Sequence, residues 1–307
     1  MTLPLTADFA PGRPVPLLAI LGAFRRGAGD PTFHADSGAV WRAARTPDGP
    51  VTLRLHREPA AHGERVVARA WGAGAQWSLD RLPGLLGAAD DPASFRVHHD
   101  VLRPVVEAER HWRVARSGLV LDALVPAIIE QRVTGKQAFG AYRRLVRRYG
   151  APAPGPVGAL RLMVPPEAAG WRRIPSWEWL RAGVDAQRAD TVQRVLQVAP
   201  RLEECVGLPR ETAWERLRSI PGVGVWTAAE TMQRAAGDAD AVSFGDYHVA
   251  KDVGHALLGI PVDDDGLAQL LRPYAGHRYR VQYLVTAGRL GAPRRAPRLA
   301  IPRHLPG

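Results

Sequence analysis

The chain has 307 residues, 46% of them hydrophobic, enough for one large core or two ordinary ones and more than a single small binding module needs. The 41 Lys and Arg against 30 Asp and Glu leave a formal net charge of +11, which favours a polyanionic partner, nucleic acid first, although an Arg/Ala/Gly/Pro-rich composition also fits a GC-rich genome. A single cysteine, Cys205, excludes an intramolecular disulfide framework and a cluster held by four cysteines of this chain.

The N-terminal stretch has no basic segment before its short apolar run and continues into Arg25 and Arg26, so it is expected to be mature sequence, neither exported nor membrane-bound. Between about residues 33 and 77 apolar positions alternate in short runs, Val51–Arg57 and Arg65–Trp71, with Thr46–Pro50 as a turn, which predicts an antiparallel β region. From Ser78 the spacing becomes helical. Residues 121–149 read as helix, short loop and helix, and further helices are expected over Glu178–Ala199, Glu211–Arg218, Val225–Ala236 and Tyr247–Leu258. The expected fold class is therefore α+β: a small N-terminal antiparallel β domain (1–98), a mostly α-helical domain (99–291), and a flexible Pro/Arg-rich tail (292–307). The five prolines of Ala151–Pro166 mark a surface loop within the helical part. Arg143, Arg144, Arg147 and Arg148 gather charge on one broad helix face, suited either to phosphates or simply to solvent. Ten histidines lie scattered without a zinc-like pairing, so neither a transition metal nor a cofactor is expected.

One segment, Leu217–Ala228 (LRSIPGVGVWTA), stands apart. An amphipathic helix stops at Pro221, turns through Gly222, Val223 and Gly224, and restarts as a second helix. Alternate glycines permit a tight turn and let bare N–H groups approach an outside ligand. At a helix N-terminus those donors and the macrodipole favour an anion such as a phosphate. A plain turn between two helices is the alternative.

This segment resembles the hairpin of the helix-hairpin-helix DNA glycosylase superfamily, in its 3-methyladenine DNA glycosylase II-like branch. In that family an aspartate about two dozen residues beyond the hairpin carries the chemistry, and here Asp246 lies 24 residues after Gly222. Val242–Lys251, Ala127–Ala138 and Tyr274–Arg280 resemble further family segments, so that the likeness covers about residues 121–290. It implies Asp246 as the catalytic carboxylate, against the plainer reading of a helix cap. It also implies a lysine position within the hairpin's second helix, used as a Schiff-base nucleophile by relatives that cut the strand. That position is Trp226 here, which points to base excision without lyase chemistry. Trp226 is expected to line the base pocket or else to be core.

Glu230 and Thr286 fall near aromatic pocket positions of the best-known alkylpurine enzyme, and Glu230 could instead pair with Arg278 as scaffolding. Gln131 and Arg132 occupy the wedge that fills the gap left by a flipped base, with Arg132 a phosphate contact in the alternative. Thr134, Lys136, Pro221, Gly222, Val223, Gly224, Thr227 and Lys251 complete the DNA-binding set, and hairpin carbonyls could hold a monovalent cation. The expected protein is a monomeric, cytoplasmic, nucleoid-associated glycosylase acting on duplex DNA with a damaged base, an alkylated purine before a deaminated base. The competing classes are a glycosylase/lyase and a silent damage sensor that keeps only the hairpin.

Overall fold

The computed structural model describes residues 3–60 and 63–293; most of the expected Pro/Arg-rich tail lies outside them. Five strands, β1 (Leu5–Phe9), β2 (Phe33–Ala35), β3 (Val40–Thr46), β4 (Gly49–Ala60) and β5 (Gly63–Trp71), form one antiparallel sheet in the order β1-β5-β4-β3-β2. Thr46 pairs with Gly49 across a two-residue turn at Pro47 and Asp48, within the turn expected from sequence. On β4, Val51, Leu53 and Leu55 face inward, the period-2 signal that revealed the strand. β1 carried no such signal: five residues between Pro4 and Pro11, with no fully buried position, become a strand only by pairing with β5.

α1 (Leu17–Leu21), α2 (Ala75–Asp80) and α3 (Leu82–Leu85) bury their apolar sides on this sheet. After α4 (Arg103–Ala108) the chain adds Trp112, Val114 and Leu119 to the same core, and Tyr279, far along the sequence, joins them. Tyr283 stacks on Trp112 with ring centroids 3.7 Å apart, and Arg280 pairs with buried Asp90 at 2.6 Å. The end of the chain thus packs back onto its beginning.

The helical part is built around α5 (Val120–Glu130), which is buried along nearly its whole length. Its first N–H groups, Val120 and Leu121, donate to the Glu203 carboxylate at 2.8 Å each, an anion at the positive end of the helix. Gln131 ends α5, Arg132 turns the backbone at φ +56°, and Thr134 opens α6 (Gly135–Tyr149) with a capping box to Gln137. The proline-rich stretch 151–166 is more than a surface loop: β6 (Ala151–Pro152) pairs with β7 (Met163–Val164), and Ala153, Val157, Leu162 and Val164 form a small core with Ala43 of the sheet. After α7 (Ala168–Arg172), the helix expected over 178–199 is broken at Gly183, φ +85°, into α8 (Ser176–Arg181) and α9 (Ala186–Gln197). α10 (Ala199–Glu203), α11 (Arg210–Arg218), α12 (Val225–Ala235), α13 (Val249–Leu258), α14 (Asp264–Leu270) and α15 (Arg278–Ala287) complete the chain, with α12 packed along α5. Among the described residues no helix is long and apolar enough to cross a membrane, and no group of three or more His, Cys, Asp or Glu could hold a metal ion.

Candidate active site

The hairpin joins α11 to α12. Gly222 takes φ +97°, and a Cβ there would lie 2.3 Å from Thr191 Oγ1, so the turn needs glycine both for conformation and for space. Gly224 is the N-cap of α12 in an extended conformation, and a Cβ there would meet nothing of the chain itself within 4 Å. Its open side can receive an outside ligand. Gly222→Ala is accordingly expected to lower stability by about 1–3 kcal/mol and to weaken duplex binding, because the turn must shift away from Thr191. Denaturant unfolding and a binding titration on the same variant measure both losses.

Gln131 fastens the end of α5 to this turn: its Nε2 donates to Gly222 O at 2.9 Å and to Thr227 Oγ1 at 2.8 Å. Arg194 donates to Pro221 O at 3.4 Å. Each of these two hairpin carbonyls thus already accepts one side-chain donor, that of Pro221 from a guanidinium. Arg132, next to Gln131, is exposed in the left-handed region, a conformation disfavoured for any residue with a Cβ. Thr134 is engaged in its cap and Lys136 is exposed in the first turn of α6.

Asp246 lies in the loop that enters α13. Gly245 before it takes φ +83° and donates to Asp264 Oδ2 at 2.8 Å, which turns the chain sharply into the aspartate. Asp246 Oδ1 accepts from the N–H groups of His248, 2.7 Å, and Val249, 3.1 Å, at the start of α13. Oδ2 accepts from Trp226 Nε1 at 3.1 Å. The carboxylate is thus both a helix anchor and the partner of the indole, and one of its four lone-pair sites, on Oδ2, is left for another donor. Beside it Tyr247 is 75% exposed, with Lys251 Nζ 3.8 Å from the ring centroid.

A polar network that the sequence did not reveal holds the loop in place. Ser243 Oγ donates to Glu230 Oε1 at 2.6 Å and accepts from Gln233 Nε2 and Gln282 Nε2 at 2.9 and 3.0 Å, which uses its whole hydrogen-bonding capacity. Glu230 also pairs with Arg234 at 2.8 Å, whose Nε donates to Ala23 O at 2.8 Å. The scaffolding expected for Glu230 is therefore real but its partner is Arg234, one helical turn on; Arg278 pairs instead with Asp240. Burial opposes ionisation of Glu230, yet Arg234, the Ser243 hydroxyl and Arg26 together hold its carboxyl below the usual range. Thr286 is exposed and bonds back to its own helix at Gln282 O, so from α15 it is Gln282 that reaches this network.

A second carboxylate, Glu130, ends α5 beside Gln131 and lies 3.3 Å from buried Arg26. Burial pushes its carboxyl above the usual range; Arg26 and Arg234 oppose this, while Glu230 and Asp246 add to it. Glu130 stood in the stretch singled out by resemblance, but only the tertiary structure brings Arg26 to it. A cleft of about 370 Å³ near the hairpin is lined by Arg210, Trp214, Val225, Asp240, Phe244 and Arg278 among others, and takes in neither Asp246 nor Trp226.

No family model matches the chain. It is 30% identical over 202 residues to the "Probable bifunctional transcriptional activator/DNA repair enzyme AlkA" of two Mycobacterium tuberculosis strains, a match taking in 60% of this chain and 37% of those proteins. The match thus spans well under half the length of these relatives. Among solved structures, a 3-methyladenine DNA glycosylase from Archaeoglobus fulgidus aligns with a TM-score of 0.73 at 19% identity, covering 92% of this chain and 98% of that one. The apo form of an 8-oxoguanine glycosylase/lyase from Clostridium acetobutylicum aligns at 0.60 and 12% identity, covering 83% and 98%. The chain has the fold of the helix-hairpin-helix DNA glycosylases, a fold it shares with both 3-methyladenine and 8-oxoguanine enzymes.

Proposed function

We propose that the protein is a monofunctional DNA glycosylase that acts as a monomer, extrudes a damaged base, an alkylated purine, from duplex DNA and hydrolyses its N-glycosidic bond. The observation that carries the reading is the contact between Asp246 Oδ2 and Trp226 Nε1 at the start of α12. It joins the carboxylate of the loop to the residue standing where strand-cutting relatives have their lysine. As the C1′–N bond breaks, its electron pair leaves with the base and the sugar becomes cationic; a fixed carboxylate stabilises that charge. Water then bonds to C1′ and gives up a proton, for which the remaining lone pair of Asp246 is an acceptor. Extrusion opens a gap in the stack, and Arg132, exposed on its strained turn, is the side chain offered to it.

The composition supports hydrolysis over lyase chemistry. All but two of the 41 basic residues are arginine, whose guanidinium does not form the Schiff base; the lysines are Lys136, exposed in the first turn of α6, and Lys251, held over Tyr247. The substrate class is supported by the likeness to AlkA and to the Archaeoglobus enzyme. The test uses duplex oligonucleotides carrying 3-methyladenine, 1,N6-ethenoadenine, hypoxanthine or uracil. Base release is expected for an alkylated purine, with strand breaks only after alkali and no borohydride-trapped complex. Breaks without alkali would restore the lyase reading, and binding without release of any base would make the protein a damage sensor.

A further inference from the structure

Toward the C-terminal end of α6, away from Arg132, a cavity of about 270 Å³ is walled by Arg25, residues 29–31 and 33–35, Arg147, and Leu160 to Leu162. Three arginines, Arg25, Arg147 and Arg161, line it together with His34. The side chains of Arg147 and Arg161 have no hydrogen bond or ion pair with any described residue, and the Arg25 side chain donates, among the described residues, only to Gly27 O, at 3.3 Å. Asp30, the one carboxylate in the lining, is already engaged: its oxygens accept from Arg26 N at 2.5 Å and from Thr32 N and Oγ1 at 2.8 Å each. Arg161 holds φ +50°, a conformation disfavoured for any residue with a Cβ. The arrangement is a concave site in which three arginines outnumber the single carboxylate, itself already hydrogen-bonded, and it is suited to a phosphate.

The four arginines of α6 divide over this site. Arg144 donates to Ala182 O and Arg148 pairs with Glu178 at 3.0 Å, both on the α8 side. Arg143 and Arg147 look the other way. Arg143 reaches Ala28 O at 3.4 Å, and a Cβ on Gly29, which lines the cavity, would lie 2.8 Å from its Nη1. Lys136, Arg143 and Arg147 are spaced by seven and four residues and so share one face of α6, over a rise of about 16 Å. Phosphates along one DNA strand recur every ~3.4 Å of axis, so this stripe spans about five base-pair steps from the turn that bears Arg132 to the cavity.

We propose that this cavity seats a backbone phosphate of the duplex arm flanking the damaged nucleotide, with Lys136 and Arg143 following the same strand between them. The proposal rests on the glycosylase reading in taking the Arg132 turn as the lesion end. It is tested with the full chain by fluorescence anisotropy on duplexes carrying an abasic-site analogue, with arms of about four or about twelve base pairs, across a salt series. For the double variant Arg147→Ala/Arg161→Ala we expect roughly tenfold weaker binding of the long duplex. Its slope of log K against log salt should be about 0.9 shallower, as expected when one phosphate fewer is neutralised in the complex. Binding of the short duplex and thermal unfolding should be unchanged, and Arg147→Lys/Arg161→Lys should recover most of the slope.

Equal losses on both duplexes, or none, would overturn the site while leaving the glycosylase reading intact. So would protection of the cavity by inorganic phosphate in hydrogen exchange without any effect of the variant on duplex binding. A wild-type protein that binds neither duplex would remove both readings together.

Discussion

Asp246→Asn is expected to abolish base release, lowering the single-turnover rate by at least 10²- to 10³-fold, while leaving duplex binding close to wild type. The magnitude follows from removing a preorganised group from the point where charge develops, an effect of about 3–4 kcal/mol on the barrier. The substitution is nearly isosteric. Its carbonyl oxygen can still accept from His248 and Val249 at the start of α13, since Asn caps helices about as well as Asp. What it loses is the acceptor facing Trp226 Nε1, for a stability cost of about 1 kcal/mol. Release of an alkylated base at an undiminished rate by a folded Asp246→Asn protein would sink the mechanism.

The second large effect is on the fold. Glu230→Ala should lower stability by about 3–5 kcal/mol, because it strands the Arg234 guanidinium, 14% exposed, without its carboxylate. The Ser243 hydroxyl loses its acceptor as well, and with it the clamp on the loop leading to Asp246. The unfolding midpoint should fall by roughly 10 °C. The milder Glu230→Gln reads the pH dependence. The folded carboxyl titrates below its ordinary value, so the ionised form contributes stability that is full above the unfolded-state value and is lost as pH falls through the folded one. The stability gap between wild type and Glu230→Gln should therefore be widest near neutrality and close in acid. A gap independent of pH in urea unfolding would mean that Glu230 acts by shape alone.

Much of this protein is legible in its residues. Asp246 is set apart by the family resemblance, through its 24-residue step from Gly222; the glycines around Val223 permit a tight turn between helices, and the alternation at Val51, Leu53 and Leu55 marks a strand with one buried face. These are local properties, fixed by backbone conformation and by periodicity. Partner choice is not local. Glu230 could be recognised as scaffolding, but whether its counterion was Arg278 or Arg234 depended on which faces of α12 and α15 met. The helical period gave Arg143, Arg144, Arg147 and Arg148 one broad face, and only the packing of α8 on one side and of residues 25–31 on the other engaged Arg144 and Arg148 with the first and Arg143 with the second, leaving Arg147 without a partner among the described residues. β1 exists because β5 presents an edge to it, and Arg25, Arg147 and Arg161, far apart in the chain, share a cavity where Phe139 packs against the turn at Gly27 and Met163 N donates to Pro31 O. Sequence determined the elements and the chemistry each could carry; the tertiary structure decided which charges neutralise one another and which remain free for a ligand, because a side chain's partner is set by distance in space.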